Sequence, residues 1–259
     1  MKVDLHNHTV LCHHATGTVA EYVEAAIACG TQFFGFSDHA PMHYDPKYRM
    51  GFDQMDLYES WIKEAAERYA DKITVLLGYE IDYLPGYMDE GVLNRSCDYL
   101  IGSVHFIDDW GFDNPEFIGR YAGVDIDDVY RRYFELIETM ASSGAFDIVG
   151  HLDLLKVFKF LPTQDIRLLA QGALRAIKQA NMSIEINVSG YRKPIIEAYP
   201  SPLLMEQIAE LEIPITFGSD AHCSEQVGLY SNEAEALARS VGYDKCALYR
   251  GRDREMIKF

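Results

Sequence analysis

The chain has 259 residues, 48% of them hydrophobic, and a formal net charge of −17, which is enough length to bury the core of one barrel-sized domain. No run approaches the roughly 18 apolar residues of a membrane span, and MKVDLHNHT reads as a strand rather than a leader, so a soluble cytoplasmic protein is expected. The negative field disfavours nucleic acid as a partner, while a small anionic substrate is admissible if metal ions or a few Arg and Lys residues supply a local positive centre.

In chain order, strand-forming runs at 2–8, 32–38, 73–80, 98–105, 146–151, 183–189 and 213–220 alternate with amphipathic helical stretches. No repeat, low-complexity tract or linker interrupts them, which predicts one domain over 1–259. The first helix opens on a capping box of Thr18 and Glu21, places Val19, Val23, Ala26 and Ile27 on one face, and closes at Gly30. The helix near 127–143 buries Val129, Tyr133, Ile137 and Met140 and ends before Gly144. Two more are expected near 164–180 and 202–211, the latter with Ser201 as N-cap and Pro202 at its first position. Seven strand-then-helix units predict an α/β architecture of parallel strands with right-handed crossovers, either wound open or closed into a barrel.

The histidines favour closure. All nine fall at or just past a strand end: His6 and His8, His13 and His14, His39 and His43, His105, His151, and His222. In parallel α/β folds the site forms at the carboxyl ends of the strands, so imidazoles from five strands meet on one face, and in a barrel they meet at one mouth. Residues two apart on a strand point the same way, which makes His6 and His8 a chelating pair with Asp4 below them. Carboxylates accompany the rings: Asp38 beside His39, Glu80 closing VLLGYE, Asp153 after His151, and Asp220 two before His222. Singly, Asp38 and Asp220 also read as helix N-caps, but that reading leaves the recurrent neighbouring histidine unexplained. A buried strand ending in a carboxylate needs something positive opposite, and Glu80 has two oxygens with which to bridge two ions. Imidazole with carboxylate suits zinc, iron or manganese. The five cysteines, Cys12, Cys29, Cys97, Cys223 and Cys246, are odd in number without a CxxC pair, which fits free thiols in a reducing compartment. Cys12 and Cys223 adjoin histidines and could serve as soft ligands, although the imidazoles suffice without them.

DLHNHT at 4–9, SDHA at 37–40, SVH at 103–105, GHLD at 150–153 and GSDAH at 218–222 resemble, in order and spacing, the polymerase and histidinol phosphatase (PHP) superfamily. The longer strings SVHFIDDWGFDNP, EINVSGYRKP and YPSPLLMEQI are similar to its histidinol-phosphatase branch. The resemblance implies a distorted (β/α)7 barrel carrying three divalent ions at the C-terminal ends of the strands. It implies one ion on His6, His8, Glu80 and Asp220, a second on Glu80, His105 and His151, and a third on His14, His39 and His222. Of the adjacent pair, His14 matches the family spacing, which leaves His13 exposed.

The implied activity is hydrolysis of a phosphomonoester, L-histidinol phosphate before others, with a metal-bridging hydroxide as nucleophile. Arg192 in SGYRKP is the leading phosphate ligand, with Lys193 and Lys156 behind it, and a solvated loop charge is the plain alternative for Arg192. The leaving-group acid is left open among Asp38, His43 and metal-bound water. Competing readings are a phosphoesterase for another small phosphate, such as a nucleotide or sugar phosphate, and a non-catalytic metal-binding or scaffold module. A proofreading exonuclease fits poorly with an acidic chain that has no basic groove.

Overall fold

The computed structural model describes residues 1–259. The strands are β1 (Val3–Asp4), β2 (Phe33–Phe36), β3 (Thr74–Asp82), β4 (Tyr99–Ser103), β5 (Phe106–Ile107), β6 (Trp110–Gly111), β7 (Ile148–Val149), β8 (Ser183–Asn187), β9 (Ile215–Gly218), β10 (Lys245–Arg250) and β11 (Asp253–Lys258). Seven of them form one parallel sheet in the order β1, β2, β3, β4, β7, β8, β9. The Leu5 amide donates to the Phe217 carbonyl at 2.9 Å, and Asn7 bridges Ala221 in parallel, so the last strand returns to the first and the sheet closes. All seven expected strands are present, though shorter than the apolar runs that announced them. One departs in the other direction: β3 runs two residues past Glu80 to Asp82. The remaining strands make two antiparallel hairpins, β5–β6 beside the barrel mouth and β10–β11 at the C-terminus.

The helices are α1 (Val19–Ala28), α2 (Met55–Arg68), α3 (Glu90–Leu93), α4 (Ile126–Ser142), α5 (Ile166–Leu169), α6 (Gln171–Gln179), α7 (Pro202–Glu210) and α8 (Ser231–Ser240). Thr18 and Glu21 form the expected reciprocal capping box on α1, and Gly30 takes φ +78° beyond its end, a conformation that carries no Cβ penalty for glycine. Along α4, Val129, Tyr133, Ile137 and Met140 are buried at helical spacing. Two expectations need correction. The stretch 164–180 is two helices, because the first closes at Ala170, whose amide bonds back to Ile166 and Leu168. Ser201 does not cap α7 with its side chain; its amide donates to Asp153 at 3.0 Å and its hydroxyl is buried without a partner.

The barrel interior is filled rather than hollow. Tyr99 lies across it, fully buried, and its hydroxyl donates to the Leu5 carbonyl at 2.7 Å. A Cβ at Gly78 would come within 2.4 Å of the Tyr99 ring, so the strand beside it must lack a side chain there. Asp4, under the histidine pair, accepts from the Ser219 amide and hydroxyl at 2.9 and 2.5 Å, which ties β1 to the end of β9.

Candidate metal centre and its cleft

Glu80 is the hub of the mouth. It is 1% exposed and sits on the inward face of β3. Its Oε1 accepts from Ser103 Oγ at 2.6 Å and lies 2.8 Å from His151 Nε2 and 3.7 Å from His105 Nε2. Its Oε2 lies 2.9 Å from His39 Nδ1, 3.3 Å from His6 Nε2 and 3.7 Å from His8 Nε2. One carboxylate thus faces five imidazoles from four segments of the chain.

Most of these rings are held from behind. His6 Nδ1 meets Glu185 Oε1 at 2.8 Å, and the other Glu185 oxygen accepts from the His151 amide at 2.8 Å. His8 Nδ1 meets Asp38 at 3.3 Å, while its Nε2 faces Asp220 at 3.1 Å. His105 Nδ1 hydrogen-bonds Asp82, whose second oxygen takes Arg49 at 2.6 Å. A carboxylate on Nδ1 fixes the proton there and leaves the Nε2 lone pair aimed inward, as metal-binding imidazoles require. Gly218 makes room for this backing, since a Cβ there would lie 1.8 Å from Glu185 Oε1 and 2.6 Å from the His6 Cβ.

Three triads converge, their ligand atoms within 4.8 Å of one another: His6, His8 and Glu80; Glu80, His105 and His151; His14, His39 and His222. A further grouping, His8 with Cys12 and His222, meets the same criterion, but burial holds the Cys12 thiol far above its ordinary range and its Sγ donates to the Thr9 carbonyl. Asp220 approaches the first triad through His8. Of the adjacent histidines, both exposed, His14 turns toward the site, its Nε2 3.0 Å from His222 Nε2, while His13 meets the Lys47 carbonyl instead.

The electrostatics expose an unbalanced site. Burial opposes charge on His6, yet Glu185, Glu80 and Asp220 hold its ring well above the usual histidine range. Burial opposes charge on Glu80, yet His39 and His6 hold it well below the usual carboxylate range. His39 is pushed down to about 4, chiefly by burial, and His222 falls too, by burial and by His8. Buried His6 Nε2 and Glu80 Oε2 have no hydrogen-bond partner. A buried imidazole nitrogen and a buried carboxylate oxygen left without hydrogen-bond partners at one centre fit divalent cations.

A cleft of about 540 Å³ opens above the triads. On one wall Arg192, in the short turn after β8, donates through Nη2 to the Ser219 and Asp220 carbonyls at 2.9 and 2.8 Å. Its Nη1 is buried at the cleft without a partner. Lys193 lines the cleft beside it and is exposed.

Three expected site residues stand elsewhere. Lys156 is 2% exposed and spends its ammonium on the Ala198 carbonyl at 2.7 Å, Glu197 at 2.5 Å and Asp153 at 3.2 Å, so it has no donor for substrate. Asp38 is fully buried behind His8 and accepts from Thr9 and from the His39 amide; it positions a ring and does not reach the cleft. His43 is exposed outside the cleft, stacked on Phe52 with centroids 4.5 Å apart. Sequence reading passed over Asp82, Glu185 and Asn187, although Glu80 with Asp82, and Glu185 with Asn187, repeat the period-two signal of His6 and His8. It also passed over Arg49 and Asp113, cleft-lining loop residues that carry no periodic signal.

A relative from Deinococcus radiodurans named "Probable histidinol-phosphatase" is 41% identical over 244 residues, 92% of this chain and 93% of its own. The Bacillus subtilis "Histidinol-phosphatase" is 29% identical over 266 residues, 90% and 97% of the two chains. The crystal structure of a Lactococcus lactis histidinol phosphate phosphatase, solved with zinc, L-histidinol and phosphate, superposes with a TM-score of 0.82 at 21% identity, covering 98% of both chains. A profile of the PHP domain matches residues 4–189, and with His6, His8, Glu80, His105 and His151 all drawn to one mouth within that span, the chain belongs to the PHP family.

Proposed function

We propose that this protein is a metal-dependent phosphomonoester hydrolase that converts L-histidinol phosphate and water to L-histidinol and phosphate. The observation that carries the reading is Glu80, a buried carboxylate facing five imidazoles, with an orphaned oxygen opposite the orphaned His6 Nε2. The histidinol-phosphatase names of relatives that match nearly end to end support the choice of substrate.

In this reading His6, His8, Glu80 and Asp220 hold one ion, Glu80, His105 and His151 a second, and His14, His39 and His222 a third. The imidazole and carboxylate donors suit zinc, iron or manganese. Divalent ions so held lower the pKa of water and neutralise charge on phosphoryl oxygens. The chain supplies the rest. Asp38, Asp82 and Glu185 keep the rings turned inward, so no reorganisation is needed as charge shifts. Arg192 offers its Nη1 to a phosphate oxygen, held in place by the two carbonyls on its Nη2. The cleft walls orient the ester and limit water around it.

The deciding experiment is metal analysis of the purified protein alongside turnover of L-histidinol phosphate against a panel of nucleotide and sugar phosphates. About three ions per chain and a clear preference for histidinol phosphate are expected. Full activity in strong chelator at less than about one ion per chain would sink the metal reading. A better nucleotide or sugar substrate would sink the choice of ester.

A further inference from the structure

The metal-binding imidazoles and Arg192 share the cleft with the loop that follows β6, whose charged lining residues, Asp113 and Glu116, are both carboxylates. Asp113 is the nearest of these to the centre, beside His105 and His151. Its position is fixed by the chain around it. The Phe112 amide donates to the His105 carbonyl at 3.2 Å on one side, and on the other Asn114 caps the short helix from Pro115, its side chain accepting from the Glu116 amide at 2.9 Å. Yet the Asp113 side chain itself has no side-chain hydrogen bond or ion pair, whereas Asp82 nearby is taken by His105 and Arg49. A carboxylate held by its backbone, turned into a substrate cleft and left without a partner is placed to receive a cation from the ligand. Tyr48 and Phe106 also line the cleft, and aromatic rings there suit a cation or a flat heterocycle.

A phosphomonoester seated with its phosphoryl group on the metal side and Arg192 would direct its alcohol toward this loop. We infer that Asp113 is a specificity-determining residue that pairs with an amine on the leaving-group alcohol, so that the site selects phosphates of amino alcohols over phosphates of neutral ones. The inference deepens the proposed function and rests on it for the placement of the phosphoryl group.

The test compares L-histidinol phosphate with its deamino analogue, 3-(imidazol-4-yl)propyl phosphate, in the metal-loaded parent and in Asp113→Asn. In the parent the amine is expected to raise kcat/KM by roughly 10- to 100-fold, the range of one charge-assisted pair. Asp113→Asn is expected to erase most of that preference by lowering turnover of the amine substrate, with the deamino analogue within about threefold of the parent and metal content unchanged. An equal loss on both substrates would show that Asp113 acts on the chemistry or the fold instead, and an undiminished preference would show that the amine lies elsewhere; either result overturns the inference. If the parent hydrolyses neither imidazole compound, the proposed substrate fails. The same ratio is then read with O-phosphoethanolamine against ethyl phosphate, where a parent indifferent to the amine overturns the inference on its own.

Discussion

The two sides of the cleft are built differently. The metal side is made of strand ends: His6 and His8 after β1, Glu80 and Asp82 on β3, His105 after β4, His151 after β7, and Arg192 after β8. The barrel register fixes these backbones, and buried carboxylates fix most of the rings from behind. The other lining comes from loops: Tyr48 and Glu116 stand on short helical turns and Asp113 in the turn just before the second of them. Reaction chemistry common to a family suits the rigid side, and discrimination among alcohols suits the side that can vary without disturbing the barrel.

If the strand-end side is the reacting half, its most connected residue should show the largest effect. Glu80→Ala is expected to abolish turnover by three or more orders of magnitude, roughly, and to remove more than one ion, because the charge facing five imidazoles is gone. Glu80→Gln should be nearly as severe, since an amide cannot offset two cations. A fully metallated, active Glu80→Gln would break the argument at its centre. Chelation of the parent should lower Tm as well, because ions that bind only the folded chain stabilise it by mass action.

Arg192 lies on the same side without touching a metal triad. Arg192→Ala should cost about 2 to 4 kcal/mol, or roughly 30- to 1000-fold in kcat/KM, with metal content as in the parent. A loss confined to KM would mean that the contact is equal in ground and transition states; a fall in kcat as well would mean that it strengthens as charge shifts. Arg192→Lys should be clearly impaired too, because an ammonium has a single nitrogen and cannot hold the two carbonyls with one atom while presenting another to the phosphate. Kinetics within about threefold of the parent would reduce Arg192 to a solvated loop charge.

A smaller effect is expected one layer back. Glu185→Gln keeps the shape that Gly218 accommodates but weakens the hold on His6 Nδ1, so metal affinity should fall roughly 10- to 100-fold and excess metal should restore most of the activity. Loss that no metal concentration rescues would place Glu185 in the fold rather than in the backing of His6.

The same division decides what could be read from the sequence. HxH and the paired carboxylates were legible because strands alternate faces and end at the mouth, so that residue type and spacing together specify a direction. Asp82, Glu185 and Asn187 carried that signal as well and were passed over because no histidine stood beside them. Asp113 and Arg49 could not have been found in this way, since loop residues acquire a direction only from long-range contacts such as the bond from the Phe112 amide to the His105 carbonyl. Lys156, Asp38 and His43 misled for a related reason. Proximity in sequence to a ligand says nothing about which side of the backbone a group leaves, and a buried partner, a backing role and an outward stack claimed them instead.

The smallest expected effect lies in the histidine that the barrel turns outward. His13 and His14 are neighbours, yet His13 takes φ +67° as it closes the turn at Val10–Cys12, its amide donating back to the Val10 carbonyl, and its exposed ring meets only the Lys47 carbonyl at 3.2 Å. With the backbone so turned, the two rings find different partners, Lys47 for His13 and His222 for His14. Glycine adopts it without strain, so His13→Gly should change stability by less than about 1 kcal/mol, relief of strain offsetting the lost hydrogen bond and the freer unfolded chain. Activity and metal content should stay within about twofold of the parent. His14→Ala should instead release the third ion and lower kcat/KM by roughly two orders of magnitude, since it takes one imidazole from a triad that has only three. Metal titration of the two variants side by side checks the assignment. If His13→Gly loses an ion and His14→Ala does not, the ring that serves the site is the other one, and the turn must rearrange when metal binds.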